Sequence, residues 1–282
     1  MGKILGIVGS CRRTGNSEIL VKAVSEAAGD GHSLELLRLA DFHIKQCRGC
    51  YKCTLPGGKC ILDDDLNFII EKMVEADGII ISTPTYVRGP AGIVKTLGDR
   101  VIAIAQHLDE LWKKPAVVIG AHGPAGDEGY ALTATIALTR MMGLDVKDAY
   151  TFLGALPAEC MRTEGNEERV KAMGAALFGQ RRPTGEGECP YCGGNIWKFR
   201  RPDLAYCPIC MTEAKLHVVN GAIEMEYGDS PTQVFGYDWL NSHFRADLAA
   251  GVKDFQTTRE KLRAIKERYR GEGYVWLEKP EA

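Results

Sequence analysis

The chain has 282 residues, 45% apolar and 26% charged, an ordinary globular composition that excludes wholesale disorder. Lys plus Arg number 35 against 37 Asp plus Glu, a net charge of −2, which argues against a nucleic-acid coat or a polybasic membrane arm. At about 150 residues per domain the length suggests roughly two domains, and the longest apolar runs, Ile79–Ile81 and Ala116–Ile119, are strand-length, far below the ~20 residues of a membrane helix.

Met1 runs directly into a strand pattern with no signal peptide. Gly2 is not followed by Ser or Thr at position 6, as myristoylation requires, so the expected location is the cytoplasm. Ile4–Val8 is a continuous apolar run, the mark of a strand buried on both faces. A loop with Gly9, Gly15 and Asn16 leads into a helix patterned by Ile19, Leu20, Ala23, Val24 and Ala27, and Leu34–Leu39 is the second strand. After a cysteine-rich loop, Leu66, Ile69, Ile70, Met73 and Val74 recur at helical spacing. Asp64 or Asp65 serves as the N-cap, so the Asp63-Asp64-Asp65 run reads as a cap and an exposed turn.

Further strands are expected at Gly78–Ser82, Ala116–Gly120 and Val146–Leu153, separated by helices over about 90–111 and 129–142, with a closing helix over about 166–178. Strands alternating with helices predict an α/β fold, a parallel sheet covered on both faces, over residues 1–180. Residues 180–187 look like a linker, and 187–228 form a small four-cysteine unit ending in a Lys215–Tyr227 hairpin with Asn220-Gly221 at its turn. Residues 229–282 are a helical tail in which Phe255, Thr258, Leu262, Ile265 and Tyr269 form a packed stripe under a basic solvated face.

The loops carry the chemistry. Gly9-Ser10-Cys11-Arg12-Arg13-Thr14-Gly15-Asn16-Ser17 joins the first strand to the first helix, where backbone N–H groups, small polar side chains and Arg12 suit an anion. It matches neither the Walker A nor the dinucleotide spacing. Thr83-Pro84-Thr85-Tyr86 ends the third strand and His122-Gly123-Pro124-Ala125-Gly126 the fourth. Ligands in doubly wound sheets sit at these carboxyl ends. Pro84, Thr85 and Tyr86 offer a flat wall and Gly123 and Gly126 a close backbone for a planar ring; His122 is a possible further site residue.

Gly9-Ser10-x-Arg12-x-x-Gly15-Asn16-Ser17, Thr83-Pro84-Thr85-Tyr86 and Lys95-x3-Asp99-Arg100, in that order, resemble the flavodoxin-like NADPH-dependent FMN reductase family over about residues 1–180. The resemblance implies a five-stranded sheet in the order 2-1-3-4-5. It also implies FMN with its phosphate on Ser10, Arg12, Asn16 and Ser17, and its ring against Pro84, Thr85, Tyr86 and the Gly123 loop. Lys95, Asp99 and Arg100 follow the ring loop, either as helix surface or subunit contact or in a flavin role.

Eight of the 10 cysteines fall in two groups, which in a reducing compartment points to metal or redox chemistry. Cys47, Cys50, Cys53 and Cys60 have the compact spacing of iron–sulfur ligation. Ile61 stands where bacterial ferredoxins have Pro, and the motif resembles the iron–sulfur flavoprotein branch of the same family, which implies a [4Fe–4S] cluster beside FMN. Free thiols and zinc are the alternatives. Cys189, Cys192, Cys207 and Cys210 form CxxC-x14-CxxC, a tetrahedral thiolate site resembling a zinc ribbon or a short rubredoxin-like knuckle pair, with Trp197, Phe199 and Tyr206 as its apolar layer. Zinc is favoured, with iron as the alternative; Met211 departs from the rubredoxin pattern. Cys11 and Cys160 stand apart as packing residues.

The expected function is an FMN-dependent oxidoreductase whose iron–sulfur cluster links a two-electron partner to one-electron carriers. The expected partners are a redox carrier protein or NAD(P)H and further copies of the chain in a dimer or tetramer, with no nucleic acid and no membrane. The alternatives are a clusterless NAD(P)H-dependent FMN or quinone reductase and a non-catalytic flavin-containing regulatory protein.

Overall fold

The computed structural model describes residues 2–229 and 233–270; tail residues 271–282 lie outside the described residues. The chain runs β1 (Gly2–Val8), α1 (Asn16–Ala27), β2 (His32–Arg38), α2 (Leu66–Glu75), β3 (Gly78–Tyr86), β4 (Gly89–Pro90), α3 (Gly92–Asp99), α4 (Leu108–Leu111), β5 (Pro115–His122), α5 (Ala131–Met141), β6 (Asp145–Leu153) and α6 (Asn166–Leu177). The parallel strands pair in the order β2-β1-β3-β5-β6. Counting parallel strands alone, this is the expected 2-1-3-4-5 order of a flavodoxin-like sheet.

Alternation across the pleat sorts the core. Leu5, Ile7, Ile79 and Ile81 pack with Leu66, Ile69 and Met73 of α2 on one face. Ile4, Val8, Ile80 and Val117 pack with Leu20, Val21 and Val24 of α1 and Met173 and Leu177 of α6 on the other. The helix expected over 90–111 is broken. α3 ends at Asp99, a tighter 3-10 stretch spans Val101–His107, and α4 follows. β-Branched Val101, Ile102 and Ile104 fill that stretch, and such side chains lose rotamer freedom in an α-helix.

A second, antiparallel sheet has the order β10-β9-β8-β7, formed by β7 (Lys198–Arg201), β8 (Leu204–Tyr206), β9 (Glu213–Val219) and β10 (Ala222–Tyr227). Its last hairpin turns at Asn220 and Gly221, both with positive φ, the turn that Asn-Gly predicts. The segment before it is pinned to the main sheet. Arg182 donates to buried Asp148 of β6 at 2.8 Å, and its backbone N–H donates to the Lys147 carbonyl at 2.9 Å. Asp148 also holds Arg169 of α6.

The tail is helical as expected, but its packing is not. α7 (Tyr237–Ser242) and a wide turn at His243–Asp247 return to the body, where Leu240 and Phe244 are buried in the α2-side core. The rest, α8 (Leu248–Arg268), stands out from it: Phe255 is 54% exposed, Leu262 40%, Ile265 57% and Tyr269 62%, so the stripe read as packed is open. An amphipathic period in the sequence marks a face that can be buried, and among the described residues nothing covers this one. Among the described residues no helix is long and apolar enough to cross a membrane.

α1 and α6 touch at Gly174, where an added Cβ would lie 2.5 Å from the Ala27 carbonyl carbon and 2.7 Å from the Val24 carbonyl oxygen. Neither backbone atom can move aside alone. Gly174→Ala is expected to destabilise the chain by about 1–3 kcal/mol as an overpacked contact, measured as a lowered denaturant midpoint; an unchanged midpoint would contradict this packing.

Candidate functional site

The cleft lies where β1, β3, β5 and β6 end. Gly9 N–H donates to the Ser82 carbonyl at 2.7 Å, holding the β1–α1 loop against β3. Arg12 crosses the cleft floor to the Ala155 carbonyl at 3.0 Å, and Asn16 Nδ2 donates to the Gly154 carbonyl at 2.7 Å. Glu18, in the first turn of α1, is kept below the usual carboxylate range by Lys22 and by the Thr14 N–H.

These contacts enclose a cleft of about 250 Å³, and every cleft residue expected from the sequence lines it except Gly126: Ser10, Arg12, Gly15, Asn16 and Ser17 on one side, Pro84, Thr85, Tyr86, His122 and Gly123 on the other. Gly126 instead adopts a positive φ in the adjoining turn. His122 Nδ1 donates to the Pro124 carbonyl at 2.9 Å, which fixes its ring.

One wall was not foreseen. Behind the expected Pro84–Tyr86 wall, β3 continues into a hairpin with β4, Thr85 opposite Pro90 and Tyr86 opposite Gly89, and Arg88 ties that hairpin to Asp127 at 2.7 Å. Gly154, Ala155 and Pro157 after β6 form the fourth wall. Gly154 is needed there, since a Cβ would lie 2.6 Å from the Cys160 N and 3.0 Å from Asn16 Nδ2. The signal was available as Gly154 and Pro157 at the end of the fifth strand on the same edge.

Three buried polar atoms of the cleft residues, Ser17 Oγ, Asn16 Oδ1 and Thr85 Oγ1, have no protein partner. Burying such groups unpaired is costly. Ser17 sits in the first turn of the 12-residue α1, where N–H groups and the helix dipole favour an anion. The donor set fits a phosphate, and the apolar Pro84 and Tyr86 wall fits a flat ring.

The cysteine loop follows β2, beside β1, and all four of its thiols line a second cavity of about 280 Å³. Cys47 and Cys50 are exposed, Cys60 half-buried and Cys53 buried. Burial, then the neighbouring Cys60, Cys50 and Cys47 thiols, push Cys53 up to about 11. The far wall is His243, Phe244 and Leu248 from the tail. Lys95 and Asp99 pair with each other on the surface of α3, whereas Arg100 is buried against this loop, away from the cleft. Asp64 is likewise not an exposed cap: its side chain is buried and ion-paired with Arg100 at 2.6 Å. Burial raises the Asp64 carboxyl, but Arg100 and the Lys45 and Leu66 N–H groups hold it below its ordinary value.

The second cysteine group converges more tightly. The Sγ atoms of Cys189, Cys192, Cys207 and Cys210 lie within 4.8 Å of one another, all buried, the one such set among the described residues; the four loop thiols do not meet that spacing. Each pair of cysteines opens a matching turn: Gly193 N–H donates to the Cys189 carbonyl at 2.8 Å and Met211 N–H to the Cys207 carbonyl at 2.9 Å. Met211 therefore takes the left-handed conformation that Gly193 takes, at φ 63°. Trp197, Ile209 and Phe235 pack on the thiols. Tyr206 is half-buried under Arg200, but Phe199 is 63% exposed and is not part of the apolar layer. Arg140 Nε of α5 donates to the Cys192 carbonyl at 3.2 Å, so the unit is docked on the main fold.

The sequence pattern of the NADPH-dependent FMN reductases matches residues 2–155, which span β1 to the wall after β6. The chain belongs to this family. An iron-sulfur flavoprotein of Archaeoglobus fulgidus is 42% identical over 98 residues, 35% of this chain and 48% of that protein. One of Methanocaldococcus jannaschii is 42% identical over 99 residues, 35% of this chain and 51% of that protein. The chain thus spans about half the length of these curated relatives. A solved flavone reductase shares the fold with a TM-score of 0.71 over 98% of this chain and 100% of that one, at 18% identity. In this FMN reductase family member, that likeness extends beyond the flavodoxin-like sheet to the four-cysteine unit and the tail.

A unit of this size cannot bury enough apolar surface to fold unaided, and four converging thiolates can bind a metal that supplies the difference. Chelation under reducing conditions is expected to open the amides of β7–β10 to fast hydrogen exchange while β1, β3 and β5 stay protected. Unchanged protection of β7–β10 would show that the unit needs no metal.

Proposed function

We propose that the chain is an FMN-dependent oxidoreductase with an iron–sulfur cluster on its cysteine loop, passing electrons between a two-electron partner and one-electron carriers. The observation that carries this reading is the cleft with its unpartnered Ser17, Asn16 and Thr85 oxygens, set at the same sheet edge as the cavity lined by Cys47, Cys50, Cys53 and Cys60. Bound FMN supplies both one- and two-electron chemistry and a [4Fe–4S] cluster one-electron chemistry.

In this reading Ser10, Arg12, Ser17 and the α1 N-terminus bind the phosphate, and Asn16 Oδ1 accepts from a ribityl hydroxyl. Pro84, Thr85 and Tyr86 flank the ring, Gly123 admits it closely, and His122, held by Pro124, presents its free ring edge. Phe244 and Leu248 of the tail line the cavity beside the thiols. Residues 1–180 carry both redox groups, and 187–228 fold around a structural zinc on Cys189, Cys192, Cys207 and Cys210. The exposed Tyr86, Val87 and Tyr130 beside the cleft receive the NAD(P)H or carrier-protein partner, and the open α8 stripe meets another copy of the chain.

A clusterless FMN or quinone reductase is the second reading, favoured by the exposure of Cys47 and Cys50. Two substitutions test the flavin site common to both readings and separate the two. Ser17→Asp is expected to weaken FMN retention at least tenfold by like-charge repulsion, with Ser17→Ala losing less. Cys50→Ala is expected to strip the iron and the broad visible absorbance while FMN stays bound; iron content unchanged by Cys50→Ala would refute the cluster assignment. Metal analysis of the Cys50→Ala protein is expected to find zinc, and iron in its place would make the second site a redox centre.

A further inference from the structure

We propose that Arg100 is a positioning residue for the loop cluster: its guanidinium donates to Cys60 Sγ, orienting that ligand and raising the cluster's reduction potential. The proposal rests on the reading that Cys47, Cys50, Cys53 and Cys60 hold a cluster.

Arg100 is only 2% exposed, and it heads the largest fully buried side chains of the chain. Arginine is almost never buried unless paired. Here Nη1 donates to Asp64 Oδ2 at 2.6 Å and to the Lys45 carbonyl at 2.5 Å, while Nη2 donates to Asp64 Oδ1 at 3.2 Å and to Cys60 Sγ at 3.0 Å. The two-point fork with Asp64 fixes the guanidinium plane. Asp64 is fixed in turn by the Lys45 N–H at 2.9 Å and the Leu66 N–H at 3.3 Å.

A clamp for the loop would need only Asp64 and the Lys45 carbonyl. The remaining Nη2 donor is aimed at sulfur, and a neutral thiol is a weak acceptor. The arrangement is matched to sulfur carrying negative charge, as a metal-bound thiolate does. Donation to ligand sulfur stabilises the more negative, reduced cluster, so it raises the potential. The charges of Arg100 and Asp64 offset each other; the directed N–H is what the sulfur receives.

Arg100 is also well placed between the two sites. It follows α3, whose N-cap Ala91 donates to Thr83 Oγ1 and the Pro84 carbonyl in the cleft wall, each at 3.1 Å. One rigid helix of eight residues, about 12 Å long, therefore sets the ring wall at one end and the cluster ligand at the other.

The test uses the anaerobically assembled full chain and two variants. Arg100→Met with Asp64→Asn removes both charges together and leaves no unpaired buried ion. Arg100→Lys keeps the charge without the fork. Iron, sulfide and FMN are counted, and cluster and flavin potentials are followed by redox titration with electron paramagnetic resonance and absorbance.

The double variant is expected to keep its iron and FMN. Its cluster potential should fall so that the oxidised-to-reduced ratio at a fixed potential rises at least tenfold, which is 59 mV for one electron. The flavin potential stays in place, and Arg100→Lys shifts the cluster less, in the same direction. An unmoved cluster potential with iron retained overturns the proposal. So does loss of iron from both variants with FMN and far-ultraviolet circular dichroism intact, which makes Arg100 a loop clamp only. Wild-type chain that takes up FMN but no iron refutes the cluster reading instead.

Discussion

The register of three central strands is the constraint on which everything else rests. β1 pairs with β3 so that Val8 faces Ser82, and β3 pairs with β5 so that Pro84 faces Ala121. The strands therefore end in step, and the loops that follow open on one edge. A parallel sheet allows this because every crossover returns the chain to the opposite end. Placing β2 beside β1 then brings the cysteine loop to the same edge as the β1–α1 loop. A slip of one residue in β1 would turn Ile4 and Val8 away from α1 and α6 and carry Ser10 to Ser17 out of the cleft.

The polar interior follows the same logic of satisfied and unsatisfied groups. Asp148 is buried and fully engaged by Arg169 and Arg182, which pins the segment leading to the four-cysteine unit. Asp64 and Arg100 are buried and engaged by each other, with one donor spent on the Cys60 sulfur. Ser17, Asn16 and Thr85 are the contrast, since their buried oxygens find no protein partner and face a cleft.

Much of this was legible in the sequence. Continuous apolar runs located β1, β3 and β5, the strand–helix alternation placed β2 and β6 between and after them, and the small polar loop after the first run marked one side of the cleft. CxxC-x14-CxxC located the converging thiolates, since its spacing alone brings four sulfurs together. Arg100 was not legible: a residue after Lys95 and Asp99 reads as helix surface, and only the break at Val101–His107 turns it inward. Asp64 was misread because a capping carboxylate and one buried against a distant arginine look alike in a linear pattern. The stripe of the tail helix was misread, because helical periodicity shows that a face is apolar but not what covers it. Phe244 found the core and Ile265 did not.

The account stands on two redox groups sharing one sheet edge of one chain. The most direct measurement is an anaerobic purification in which FMN, iron and acid-labile sulfide are counted per chain, followed by stepwise reduction watched at the flavin and cluster bands. The account predicts about one FMN with about four iron and four sulfide, as a cube-type cluster requires, and reduction of both groups by a single donor. Flavin without iron and sulfide, or iron and sulfide without flavin, after anaerobic reconstitution would contradict it.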